Sequence, residues 1–312
     1  LAKLSIPISI ILLNCYTTIS FSRVKKKTLS TCLFISISLS DLLIGLTASL
    51  PYTLKNSLHT NVWPCSHEAC YIYLFFKHLN FMITGDTILM LSYHRYNQMS
   101  QPFSQCERVS PRRLLFYLSP WIYRPIYVFV SFWLINSYNG IHLNDCSYTL
   151  VSSQAFIGIV LIEVPIVTLA IVFNVLNIYK IDHRRKSVVG KMRKNMIDSA
   201  ISSKTRLRCS MDMSSFLINA QNESKLFRRV KRTFKREFKA ILCISLMIIN
   251  MFATITPYFI SFELVFLFNH DYALLDRFFL IVTLNPLFNT AIILLFNSSR
   301  VRFLSNTRSQ KI

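Results

Sequence analysis

Glycine is scarce in this chain, 5 of 312 residues, and acids are outnumbered, 14 Asp and Glu against 35 Lys and Arg. So little glycine leaves no Gly-rich loop to cradle a phosphate. The eight Cys are scattered without a CxxC pair, which argues against a zinc site. The seven His are dispersed, and no nucleophile stands at a spacing from a base that would suggest catalysis. An enzyme is not expected, and no resident metal or cofactor follows from these residues. Repeats of roughly 20–50 residues are also missing, which excludes a solenoid. Charge itself is short. Only 16% of residues are charged while 52% are hydrophobic, with 25 Phe, and that mixture suits lipid as the solvent.

Seven apolar stretches are long enough to cross a bilayer core of ~30 Å as helices rising ~1.5 Å per residue. They fall near Leu4–Phe21, Thr31–Leu50, Cys70–Tyr93, Leu114–Leu134, Ala155–Tyr179, Ala240–Phe268 and Phe278–Phe296. Lipid cannot satisfy open backbone groups. The expected fold class is therefore all-α, an integral membrane bundle of seven transmembrane helices over 1–298. A tail, 299–312, is expected to hold a short cytoplasmic helix.

The net charge of +21 does not mark a nucleic-acid partner, because the bases lie between the apolar runs. Arg23, Lys25, Lys26 and Lys27 follow span one, and Arg108, Arg112 and Arg113 follow span three. Lys180–Lys239 carries 18 Lys and Arg, and Arg300, Arg302, Arg308 and Lys311 lie in the tail. The opposite side holds little beyond Lys3, Lys55 and Arg277. An excess of bases marks the cytoplasmic side, so the N-terminus is expected outside and the C-terminus inside a multi-pass plasma-membrane protein. Leu1 already borders an apolar stretch, so an extracellular segment is expected ahead of it. The basic third loop, 182–238, lacks an apolar stripe long enough for a core. It reads as an anchor on anionic lipid, as a docking surface for a cytoplasmic protein, or as both. Lys225–Lys239 reads as a basic helical extension into span six.

Particular residues then carry a resemblance. The run Leu91-Ser92-Tyr93-His94-Arg95-Tyr96 ends span three, and Pro102 follows seven residues after Arg95. Span two reads Ser38-Leu39-Ser40-Asp41-Leu42-Leu43-Ile44-Gly45-Leu46, and Asn14 stands mid-span one. Trp121 stands in span four, Pro165 in span five, Thr256-Pro257-Tyr258 in span six and Leu284-Asn285-Pro286 in span seven. In this order and spacing the chain resembles the rhodopsin-like (class A) G-protein-coupled receptors over nearly its whole length, the third loop excepted. Arg95 would then belong to the family's Asp/Glu-Arg-Tyr signature. The resemblance implies a receptor that relays a small extracellular ligand to a heterotrimeric G protein. It also implies a disulfide between Cys70 at the outer end of span three and Cys146 in the second extracellular loop, both on the oxidising side.

An ionised acid inside a bilayer costs at least ~2.5 kcal/mol, so Asp41 is expected to face partners within the bundle. Asn14, Thr84 and Asn285 fall at similar depth. By resemblance this cluster holds a sodium ion and couples to activation; the alternative is a purely structural hydrogen-bond network between helices. The resemblance also makes Arg95, His94, Tyr96, Glu237, Pro257, Asn285 and Pro286 the activation switch, with Glu237 pairing Arg95 at rest. Independent interfacial charges are the alternative. Asp86 is a further intramembrane acid, for which a polar contact to span five is expected.

Departures are visible too. His94 replaces the signature's acid, Ile255 the helix-six Trp, Asn289 the Tyr of Asn-Pro-x-x-Tyr, and Phe173 a Tyr of span five. Leu91–Tyr96 and the run Phe173-Asn174-Val175-Leu176-Asn177-Ile178-Tyr179 look most similar to the biogenic-amine group, histamine receptors first and muscarinic ones next. Tyr258 also matches that group's pocket. Lys77, however, stands where the amine-binding Asp belongs, and a cation cannot counter an ammonium. Lys77 is either a snorkelling or internally paired base, or the contact for a carboxylate ligand, with Glu163 or Glu263 pairing it when empty. Two other classes stand beside the receptor: a degenerate, non-signalling homologue, and a transporter or channel, which would want a continuous polar path.

Overall fold

The computed structural model describes residues 2–24, 28–51, 53–54, 67–100, 111–139, 164–187, 190, 194, 232–257 and 281–309. Among these residues the chain is helical, without strands. α1 is Ala2–Ser22, α2 Leu29–Ile44 and α3 His67–Ser100. The fourth span is two pieces, α4 Pro111–Leu118 and α5 Pro120–Asn139. α6 is Val164–Ser187, α7 Arg232–Pro257 and α8 Asn285–Ser309. The all-α seven-helix class expected from the apolar runs is the one observed, and the short helix expected after span seven is there as the continuation of α8.

Local chemistry sets the ends. Thr28 caps α2 by accepting the Thr31 N–H on its side-chain oxygen at 3.3 Å. Pro111 and Pro120 each open a helix, the one place where a missing N–H costs nothing. Between them the Ser119 carbonyl accepts from the Ile122 and Tyr123 N–H groups at 2.9 and 3.0 Å. That stop in span four was not expected from hydropathy. α3 and α6 also outrun their expected ends, reaching Ser100 and Ser187. The reason is general: loss of apolarity marks where lipid ends, whereas a helix stops only when its backbone is capped or broken.

Gly45 lies where α1 and α2 touch, at the start of a π-helical turn, Gly45–Ser49. A Cβ there would stand 2.9 Å from Ile10 Cγ2 and 3.1 Å from Ile11 Cγ1. A β-branched Ile in a helix has little rotamer freedom to give. Gly45→Val is therefore expected to push the two helices apart and destabilise the fold by ~1–3 kcal/mol. Thermal unfolding of the detergent-purified variant measures this, and an unchanged midpoint would show that α1 shifts freely.

One apolar cluster joins most of the bundle: Phe21, Leu33, Ile37, Ile88, Leu91, Ala170, Ile244, Met247, Met251 and Ile293, from α1, α2, α3, α6, α7 and α8. α5 joins through Val128, packed with Leu79, Met82 and Ile83 of α3. The outside is just as apolar. On α5, Ile122, Ile126, Phe129 and Trp133 form an exposed stripe at helical spacing. Asn14, Asp41, Asn80, Asp86, Arg124, Asn177, Asn285 and Asn289 are buried instead. Such an arrangement would aggregate in water and is at ease in lipid. By length and apolarity alone, four described helices qualify as spans: Leu4–Ser22, Leu29–Ser49, Val164–Ser187 and Arg232–Pro257. α3 and α5 carry charges within their apolar stretches, and two of those charges, Asp86 and Arg124, satisfy one another inside the bundle.

Candidate functional site

The polar core is built at the helix crossings. Thr84 of α3 donates to Asp41 Oδ1 at 3.4 Å and lies 3.1 Å from the Ser40 hydroxyl, which donates to the Asn80 carbonyl at 2.8 Å. Further along the same crossing the Trp121 indole N–H of α5 donates to Ser36 Oγ at 2.7 Å, and Ser36 meets Thr87 at 3.4 Å. α1 is tied to α8 by the Thr290 hydroxyl donating to Asn14 Oδ1. α7 is tied to α8 by Asn250. Its side-chain NH2 lies 2.7 Å from Asn285 Oδ1, 2.9 Å from Asn289 Oδ1 and 3.1 Å from the Asn285 backbone oxygen. Of the four residues expected in one cluster, Asp41 and Thr84 are in direct contact, while Asn14 and Asn285 are bonded to Thr290 and Asn250.

Asn289 reaches toward the Asp41 carboxylate more loosely than a regular hydrogen bond allows. Among the described residues no protein group bonds Asp41 Oδ2, Asn285 Nδ2 or Asn289 Nδ2. A sodium ion, implied by resemblance, wants a shell of oxygens, as hard cations do. Here both asparagine side-chain oxygens are turned to Asn250 of α7 instead. The residues do not fit a sodium ion.

Asp86 meets α5, the fourth span, which corrects the expected contact to span five. Arg124 grips it with two bonds, Nε to Oδ2 at 2.5 Å and Nη2 to Oδ1 at 2.9 Å, and the Tyr123 hydroxyl donates to Oδ2 as well. Both residues are almost wholly buried, Asp86 at 2% and Arg124 at 1% exposure. The lone Arg in an apolar span was the signal that could have found this pair, since such a base demands an acid within the membrane.

Bases converge at one end of the bundle. Arg95 donates to Gln98 at 3.0 Å. The Tyr96 ring lies beneath the Lys180 ammonium of α6, 3.4 Å from the ring centre, and against Phe173. Lys180 also donates to Ser100 Oγ at 2.5 Å, and Arg184 donates to the Met99 carbonyl. Glu237 of α7 feels the charges of Arg184 first and Arg95 second. The charge of Arg184, a base from α6 that sequence spacing did not single out, thus acts on Glu237 more than that of Arg95, the partner expected for it. His94 packs edge-on against Tyr117 of α4, ring centres 5.7 Å apart. Two asparagines bind α6 to its neighbours: Asn177 donates to the Ser92 carbonyl at 3.1 Å and Asn174 to Ser245 Oγ at 2.7 Å. Pro257 lies in α7, and Pro286 lies in the first turn of α8, its carbonyl oxygen 2.9 Å from the Thr290 hydroxyl. Ile255 packs against the central apolar cluster. Lys77 and Cys70 stand on α3. Tyr258, Glu163, Glu263 and Cys146 lie outside the described residues, as does most of the third loop.

A membrane-embedded bundle with a closed polar core and a basic end is the architecture of a seven-helix receptor. The model of the family described as 7 transmembrane receptor (rhodopsin family) matches residues 13–292. The chain belongs to that family, whose members are receptors rather than enzymes and work with ligands and G proteins. A search of curated proteins finds no match to this chain.

Proposed function

We propose that the chain is a plasma-membrane receptor, N-terminus outside, that relays a small extracellular ligand to a heterotrimeric G protein. One observation supports this most: at the basic end Lys180 of α6 lies over Tyr96 of α3, while Arg184 of α6 and Arg95 of α3 act by charge on Glu237 of α7. Separating α7 from α3 breaks those contacts and uncovers a cationic surface, continuous with the basic third loop, that a cytoplasmic protein can dock against. The ligand would enter among Lys77, Tyr258 and Glu163 at the outer ends, below a loop held by Cys70 and Cys146. It acts by binding one of two bundle arrangements better than the other.

Lys77 favours an acidic ligand over the amines that the resemblance to histamine and muscarinic receptors would suggest. The test is a screen of small acids and amines with a G-protein activation reporter. Acids are expected to activate the unsubstituted chain, and Arg95→Ala is expected to abolish the response at equal surface expression. Lys77→Ala is expected to weaken an active acid at least about tenfold, the loss of one charge-assisted contact worth ~1.5 kcal/mol or more. Acid binding that survives Lys77→Ala would remove this residue from the pocket.

A second reading is a homologue that binds without signalling. Phe173 and Asn289 favour it, because neither offers the phenolic hydroxyl that the family uses to hold the open state. A chain that binds ligand on the cell surface yet never activates a G protein would establish that reading.

A further inference from the structure

We infer that Asn250 turns the polar core away from sodium and points the Asn289 amide NH2 toward Asp41. The argument begins with a polarity that chemistry leaves no freedom to reverse. Asn250 faces the backbone oxygen of Asn285 at 3.1 Å, and a carbonyl oxygen only accepts. The Asn250 atom at that point is therefore its NH2, whichever way an amide could otherwise be drawn. An NH2 cannot accept, so the side-chain atoms of Asn285 and Asn289 that meet it, at 2.7 and 2.9 Å, are oxygens that share its two hydrogens with that backbone oxygen.

Two consequences follow. Both side-chain carbonyl oxygens of α8 are drawn toward α7, which takes one lone pair of each from a cation. Both NH2 groups are turned the other way, buried and without a regular partner among the described residues, and Asn289 lies toward the Asp41 carboxylate. An ionised carboxylate is an acceptor only, and an amide NH2 is a donor only. The two match each other, whereas a cation beside an NH2 meets the positive end of its dipole. Asn289 thus stands where the family's Tyr would be, and it does work on Asp41 that a phenol held by Asn250 would not. The device needs Asn250 and Asn289 together. Without Asn250, the amides of Asn285 and Asn289 are free to rotate and present oxygen to Asp41, which restores a set of acceptors that suits a hard cation.

The test requires no ligand and no G protein, so it stands or falls separately from the receptor reading. The full chain is purified in detergent, and its unfolding midpoint is followed in sodium chloride, potassium chloride and N-methylglucamine chloride at equal ionic strength. An ion that binds only the folded state raises its stability with concentration. For the unsubstituted chain the three midpoints are expected to coincide. In Asn250→Leu, sodium is expected to raise the midpoint above the other two salts, and adding Asp41→Asn is expected to abolish that rise. Asn250→Ala serves in its place if the Leu variant does not fold. A sodium-specific rise in the unsubstituted chain overturns the inference, and so does an Asn250 variant that responds equally to all three salts.

Discussion

Neutralising either half of the buried pair on α3 and α5, as Asp86→Leu or Arg124→Leu, is expected to remove most of the folded protein from the cell surface. Each change leaves a charge that is nearly inaccessible to solvent without its counter-ion, in a place where water cannot substitute. Breaking a buried pair from one side costs about 3–5 kcal/mol. Asp86 holds two of the three guanidinium nitrogens, and it accepts from Tyr123 as well, so the two charges are matched chiefly by each other. The double change to Leu at both positions is expected to recover most of the loss, because removing the pair also removes the cost of dehydrating it. The exchange Asp86→Arg with Arg124→Asp is expected to recover part of it. Surface labelling with thermal unfolding of the purified variants measures all of these. Single variants as stable as the double one would mean that the charges are solvated and not paired.

Removing Glu237 is expected to have the largest effect on signalling. The charges of Arg184 and, after it, Arg95 act on this acid, so its loss weakens the attraction at the basic end without touching the ligand side. A coupling of about 1–2 kcal/mol would raise the active fraction roughly five- to thirtyfold. Glu237→Ala should thus elevate basal G-protein activation at matched surface expression. Arg184→Ala should do the same and to at least as great an extent as any change that affects Glu237 alone, since Arg184 also fastens α6 to the Met99 carbonyl of α3. Salt should blunt the difference, because the group is only partly buried and exposed charges are screened. Basal activity that stays level in both variants would remove this contact from the resting state.

Asp41 and Thr84 show how much of the site was legible. Counting helical depth placed them opposite each other, and the structure has them in contact. Depth alone could not pair the rest. Asn14 and Asn285 lie at comparable height, yet one is bonded to Thr290 and the other to Asn250. Asp86 was recognised as an acid in need of a partner, but the partner was sought on the fifth span when it stood on the fourth. Asn250 drew no notice at all, although an amide in the middle of an apolar run is itself a signal that some neighbouring helix must satisfy it.

What the chain's sequence determined by itself was the number of helical spans and the kind of residue each turns to lipid. Those follow from composition along a single helix, because a bilayer forces every backbone group to be satisfied within its own segment. What only the tertiary structure decided was which polar group meets which: Asp86 with Arg124, Asn250 with Asn285 and Asn289, Arg184 beside Glu237. Each such meeting depends on the rotation of two helices about their own axes, and one residue of advance turns a side chain by about 100°. A helix satisfies its backbone whatever its rotation, so nothing local records the angle; it is set when neighbouring helices pack.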